Sequence, residues 1–261
     1  MMGGLFAAGG KFEIITDLKL IYVSTAALLM LSAGNAMNDY CDYNIDRINK
    51  PNRPIPSGRI LRRNALIYAS VLISFSIVLG ILVNLYALGI AVLVSGLLIF
   101  YAFSLKGVPF IGNLTVSSLT AITFISGGVA VGSIHGTLIP GIFAFLFTTA
   151  REIVKDLEDT EGDLKNQVNT LATLNPKAAV LVTLSFMLAV IMFSPVPYIF
   201  GWYTWHYLLS IMCGVNVVLI FLGYQLWKDM SKSSCTFIQR CMKWDIFIGL
   251  AAIYMGTIFQ R

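Results

Sequence analysis

An all-α protein that crosses a membrane eight or nine times is what this sequence predicts, on three observations. Of its 261 residues, 57% are hydrophobic and only 12% are charged, half the ~25% charged share of an ordinary soluble domain. The apolar residues run in blocks, such as 71–83, 90–103 and 179–193, with no water-facing stripe at helical period. The connections between blocks alternate between rich in Lys and Arg and free of them. The blocks recur to the end of the chain, which excludes a secretory signal or a single anchor. At ~28–30 residues per span plus loop, each span needing about 20, the length leaves no room for a soluble domain. Residues 1–261 read as one transmembrane domain.

Taken in order, Met1 to Gly10 is apolar but too short to cross a bilayer, and the polar stretch Lys11 to Lys19 follows. It reads as the last part of a helix or as a short interfacial segment. Spans are expected at 20–38, 65–87, 89–105, 114–134, 138–155, 178–198, 206–227 and 244–260, each an apolar run bounded by charge, Gly or Pro.

The connections at 39–64, 105–113, 151–177 and 228–243 hold 15 of the 18 basic residues, and those around Leu88, Ser133 to Pro140 and Ser194 to His206 hold none. By the positive-inside rule the charged connections are cytoplasmic and Arg261 is outside. The net charge of +5 therefore marks membrane topology, with no nucleic-acid partner implied. Cys41, Cys213, Cys235 and Cys241 contain no C-x-x-C pair and read as thiols or packing residues.

Nine of the 13 acidic residues fall in two clusters. Asn38, Asp42 and Asp46, spaced i, i+4, i+8, share one face if the first span continues as a helix past its apolar part, with Asp39 beside them. The second cluster is Glu152, Asp156, Glu158, Asp159, Glu161 and Asp163, in which Asp159 and Asp163 are i, i+4 and Asp156 lies a turn earlier. Both clusters end spans that run outside to inside, where the helix dipole is already negative. A cation has to neutralise stacked carboxylates there. With no His or Cys nearby the all-oxygen set points to a hard ion, Mg²⁺ or Ca²⁺. Mg²⁺ takes one or two carboxylates and fills its shell with water and substrate phosphate, so two facing acidic columns suit two Mg²⁺ bridging a diphosphate. Between the first two spans, three prolines stiffen the loop from Arg47 to Arg59 and aim Lys50, Arg53 and Arg59 at phosphate oxygens. Arg62 and Arg63 read as positive-inside charge.

The run Asn38-Asp39-Tyr-Cys-Asp42-Tyr-Asn-Ile-Asp46-Arg-Ile-Asn-Lys-Pro-Asn-Arg-Pro-Ile-Pro-Ser-Gly resembles the first signature, N-x-x-x-D-x-x-x-D, of the UbiA-type intramembrane prenyltransferases. Arg151-Glu-Ile-Val-Lys-Asp156-Leu-Glu-Asp159-Thr-Glu-Gly-Asp163 resembles their second, D-x-x-x-D. The resemblance implies nine helices in two four-helix halves around a central cavity, and Mg²⁺-dependent transfer of a prenyl group from its diphosphate. It carries Asn38, Asp42, Asp46, Asp159 and Asp163 over as the metal and diphosphate site, with Asp39 and Asp156 supporting. Tyr101 and Lys106 match the family's Tyr and Lys at the end of the fourth helix. Relatives begin with a complete first helix, of which Met1 to Gly10 resembles the last part.

Diphosphate held by Mg²⁺ and cations is a good leaving group. Tyr40, Tyr43 and Tyr101 are placed to stabilise the departing allylic cation through their ring faces. The second motif is similar to that of archaeal members that attach a second geranylgeranyl chain to the glycerol 2-hydroxyl of geranylgeranylglyceryl phosphate. The surplus of cations, Lys50, Arg53, Lys106, Arg151 and Lys155, agrees with an acceptor that carries a phosphate. Prenylation of an aromatic ring such as 4-hydroxybenzoate is the alternative, and an ion-coupled transporter a remote one. The expected partners are the prenyl diphosphate, a lipidic acceptor and the lipids of the cell membrane, with the site's mouth on the cytoplasmic side.

Overall fold

The computed structural model describes residues 1–105 and 107–259; Lys106 and Arg261, named above, lie outside the described residues. Among the described residues eight helices are long and apolar enough to cross a membrane, Leu18–Cys41, Arg62–Val83, Leu85–Leu105, Ile111–Val131, His135–Lys165, Pro176–Ile199, Trp205–Lys228 and Lys232–Ile258. The chain is an integral membrane protein, and each helix overlaps one span expected from sequence.

Local chemistry sets the boundaries. The Asp17 carboxylate accepts from the amides of Lys19 (2.8 Å) and Leu20 (3.1 Å), opening α2, Leu18–Cys41. A short α3, Tyr43–Asn49, follows it. The next turn comes at Asn84, four residues before the expected connection at Leu88, because the Asn84 side chain caps α5 (Leu85–Phe100) through the Ala87 amide at 2.8 Å. It also donates to the Val129 carbonyl at 3.1 Å, tying the α4–α5 corner (α4, Arg62–Val83) to the end of α6, Ile111–Val131. After α5 the chain widens into a π-type turn, Tyr101–Leu105. Gly132, at φ 79°, ends α6 and turns the chain into α7, His135–Lys165. With 31 residues, α7 is about 46 Å long against a ~30 Å hydrocarbon core, so its acidic last turns project beyond the membrane.

After a single turn, α8 (Leu171–Leu174), Asn175 caps α9, Pro176–Phe193, by accepting from the Ala178 amide at 3.0 Å. A short α10, Val196–Ile199, leads to α11, Trp205–Ser210, which passes through a π-type turn into α12, Val217–Lys228. The last helix, α13, spans Lys232–Ile258. The stretch 232–243, expected as part of a loop, is therefore its first three turns. Ser231 caps it through the Ser234 amide (3.3 Å), and Cys235, Ile238 and Met242 recur on its buried face.

The two halves are α2, α4, α5 and α6, then α7, α9, α11–α12 and α13. The first packs on small residues, Ala33, Ala69, Ala91 and Ala102, with Met30, Met37 and Ile73 between them, as expected where lipid supplies no hydrophobic drive for helices to associate. The second is built on larger side chains, including Phe147, Ile153, Leu219, Leu222 and Met242. They meet along α6 and α7, and α1, Met2–Ala7, lies across that seam. Leu5 and Phe6 are buried, so this segment is inserted and not interfacial. A Cβ at Gly3 would collide with the Phe124 backbone, and one at Gly127 with the backbone of Gly3 and Gly4. The four cysteines form no disulfide. At the uncharged end an aromatic belt includes Phe200 stacked on Trp202, and His206 between Trp205 and Phe259.

Candidate active site

The first acidic motif keeps its face across the α2–α3 junction. The amides of Asp42, Asp46 and Lys50 donate to the carbonyls of Asn38, Asp42 and Asp46, each at 2.8 Å, although Asp42 itself flattens to ψ 1°. The helical i−4 ladder thus continues at the positions that carry the motif. One guanidinium nitrogen of Arg53 meets both Asp46 Oδ2 (2.7 Å) and Asp39 Oδ1 (3.1 Å), and Asp46 is 5% exposed. Arg59, expected to face phosphate, is engaged in its own loop: Nη2 donates to the Asn52 carbonyl at 2.6 Å and Nε to Ser57 Oγ at 3.1 Å. Lys50 is exposed at the end of α3.

Arg62, read from sequence as plain topological charge, organises this end. Its Nε donates to the Tyr40 carbonyl at 3.0 Å, and its guanidinium lies 4.3 Å from the Tyr40 ring centre and 5.5 Å from that of Tyr43. Arg47 lies 5.7 Å from the Tyr43 ring. These two rings serve protein cations, which leaves Tyr101 of the three tyrosines for an allylic cation.

The second motif borders a cleft of about 150 Å³ lined by Tyr101, Asn113, Glu152, Lys155, Asp156, Asp159 and Asp163, and by Phe110 and Asn169. Sites that enclose a whole drug-sized ligand run to ~300–1,000 Å³, so this cleft fits a head group and leaves a tail to the helices. Asn113 Nδ2 donates to Asp156 Oδ2 at 2.8 Å and holds that carboxylate at the cleft wall. The sequence reading missed Asn113; its signal was an amide at the entry of an apolar span. Glu152 sits between two cations, Arg151 Nη1 at 3.2 Å and Lys155 Nζ at 3.6 Å. Phe110 (φ 66°) and Gln167 (φ 56°) are the non-glycine residues with positive φ among the described residues. One lines the cleft and the other precedes Val168, which also lines it; such strain concentrates at functional sites.

The donor set fits Mg²⁺. It is all oxygen, and Asn38 Oδ1 is buried with no hydrogen-bond partner among the described residues, an orphan acceptor one turn from Asp42. Among the described residues no three Asp, Glu, His or Cys side chains converge into a group that could hold a metal ion by themselves.

The pattern of the UbiA prenyltransferase family matches residues 1–247. The chain belongs to the UbiA prenyltransferase family. Two UbiA-family relatives, from Methanosphaera stadtmanae and Thermococcus gammatolerans, are both digeranylgeranylglyceryl phosphate synthases. The first is 37% identical over 95% of this chain and 89% of its own, the second 37% over 92% and 86%. A solved structure of a digeranylgeranylglyceryl phosphate synthase superposes with a TM-score of 0.83 at 32% identity, covering 98% of this chain and 91% of that one. A UbiA homologue from Archaeoglobus fulgidus bound to DMAPP and Mg²⁺ shares the fold, with a TM-score of 0.68, 15% identity and coverage of 97% and 94%.

Proposed function

We propose that this UbiA-family chain transfers a geranylgeranyl group from geranylgeranyl diphosphate to the glycerol 2-hydroxyl of geranylgeranylglyceryl phosphate, forming an ether and releasing diphosphate and a proton. The observation that carries the reading is near full-length similarity, 34–37% identity over 92–99% of this chain, to enzymes named for that product. The two acidic helix ends and the basic loop beside them support it.

Mg²⁺, as in the solved structures of UbiA homologues with DMAPP or GPP, neutralises charge developing on the leaving diphosphate when bound. Asn38, Asp42 and Asp46 at the α2–α3 end, and Asp156, Asp159 and Asp163 on α7, are the residues that hold it, with Asp39 supporting. Lys106, Lys155, Lys50 and Arg53 supply positive charge to diphosphate oxygens, and Arg151 acts beside them through Glu152. Tyr101 offers its ring to the allylic fragment as the C–O bond breaks and the glycerol oxygen attacks. Burying the isoprenoid tail among the spans contributes roughly 0.8 kcal/mol per CH₂-sized unit, which is why the whole chain acts as one membrane-embedded unit. The charged end is the cytoplasmic side of the cell membrane by the positive-inside rule.

The test is a side-by-side assay of purified protein in detergent with geranylgeranyl diphosphate and either geranylgeranylglyceryl phosphate or 4-hydroxybenzoate, the products resolved by mass. The expected result is the ether and little ring product. Efficient ring prenylation without ether would reassign the acceptor, and no transfer to either acceptor would overturn the proposed reaction.

A further inference from the structure

On α7 the cleft residues Glu152, Asp156, Asp159 and Asp163 follow one stripe at spacings of four, three and four. Arg151 and Glu158 lie on a neighbouring stripe, two turns apart, and that stripe is met by the last helix, α13. Glu158 Oε1 accepts from Thr236 Oγ1 at 2.7 Å and Oε2 from Gln239 Nε2 at 2.9 Å. The other end of the same amide, Gln239 Oε1, accepts from Arg151 Nη2 at 3.3 Å. Arg151 Nη1 in turn reaches Glu152 Oε1 at 3.2 Å, and Glu152 Oε2 is 3.6 Å from Lys155 Nζ. One neutral side chain on α13 therefore ends a relay that runs into the cleft through Glu152 and Lys155.

We propose that Gln239, with Thr236, is a positioning residue for the diphosphate site. It satisfies Glu158 and Arg151 at the same time, and so prevents the two from closing on each other along α7. Neutral donors hold the Glu158 carboxylate off the acid stripe, where an additional negative charge would repel the diphosphate. Arg151 stays on Glu152 and shares that carboxylate with Lys155. Without the amide, Arg151 turns to Glu158, Glu152 closes on Lys155 alone, and the ammonium is drawn away from the substrate. The consequence falls on donor binding, although α13 contributes no residue to the cleft lining.

The inference rests on the diphosphate reading of the site, and the test separates the two. The intact protein and its variants are compared by the KM for geranylgeranyl diphosphate, by calorimetric affinity for inorganic diphosphate with Mg²⁺, and by thermal unfolding. Gln239→Leu is expected to raise KM and weaken diphosphate binding about tenfold, the value of one hydrogen bond to a charged group, with a smaller change in kcat. Gln239→Glu keeps an acceptor for Arg151 but sets a carboxylate against Glu158, and loses affinity likewise. The double variant Glu158→Gln with Gln239→Glu exchanges the groups: the bond between 158 and 239 re-forms with donor and acceptor reversed, while 239 still accepts from Arg151 and 158 from Thr236, and KM is expected to be restored. A merely structural contact would lower the unfolding temperature and leave KM and diphosphate affinity unmoved. Unchanged KM in Gln239→Leu, or a swap that restores nothing, overturns the proposal. A wild type that binds no diphosphate removes the site reading, and the positioning role of Gln239 with it.

Discussion

Replacing Arg53 with Gln isolates what its guanidinium does between Asp39 and Asp46. The Asp46 side chain is 7% exposed and 2.7 Å from Arg53, whereas Arg53 is itself 39% exposed and also meets Asp39 at 3.1 Å. A fully buried ion pair broken on one side costs about 3–5 kcal/mol and an exposed pair about 0–1. This half-exposed bridge falls between, at about 1–3 kcal/mol. By the behaviour of soluble chains of similar length that is about 2–12 °C in Tm. A divalent cation bound by the same carboxylates replaces the lost charge. At a hundred times its Kd it restores ~2.7 kcal/mol, so the deficit is expected without Mg²⁺ and largely absent with it. Thermal unfolding of wild type and Arg53→Gln in detergent, each with EDTA and with Mg²⁺, measures the four corners. Equal Mg²⁺ stabilisation of both proteins would refute the reasoning, because the cation would then bind elsewhere than at Asp39 and Asp46.

Asp42→Ala and Asp159→Ala are each expected to abolish turnover while the protein stays folded, since each removes one carboxylate from its ligand column; EDTA is expected to do the same, reversibly with Mg²⁺. Single cysteines at Ser57 and Lys232, both exposed at the charged end, are expected to label from the cytoplasm, and one at His135 from outside; the opposite pattern would invert the topology. Asp245 is 2% exposed on α13 with neither carboxylate oxygen partnered among the described residues, so Asp245→Val is expected to raise Tm by removing an unsatisfied group that costs about 1–3 kcal/mol. A folded Asp245→Val protein without activity would instead give this acid a role in the reaction.

The spans were legible because a membrane helix writes its length as an apolar run. The acid columns were legible too, since i, i+4 spacing fixes a helical face before any packing is known. Other features depend on which helices become neighbours, and a single sequence does not state that. Arg62 could be recognised as a support for the first motif only once α4 lay beside Tyr40 and Tyr43. Asn113 and Gln239 are ordinary amides until α6 and α13 bring them to Asp156 and Glu158. The start of α13 was misplaced for a different reason: its polar first turns mask an amphipathic face, Cys235, Ile238 and Met242, that packs on α7 and α12. Likewise the turn at Asn84 follows from one capping side chain within a nearly continuous apolar run.

The most direct measurement of the central claim is a structure of the protein with Mn²⁺ in place of Mg²⁺ and a thiol-linked, unreactive geranylgeranyl diphosphate analogue. The account expects anomalous metal signal and the diphosphate between the α2–α3 face, Asn38, Asp42 and Asp46, and the α7 stripe, Asp156, Asp159 and Asp163, with the first isoprene unit toward Tyr101. Diphosphate seated away from either acidic column, or bound there with no metal signal, would contradict it.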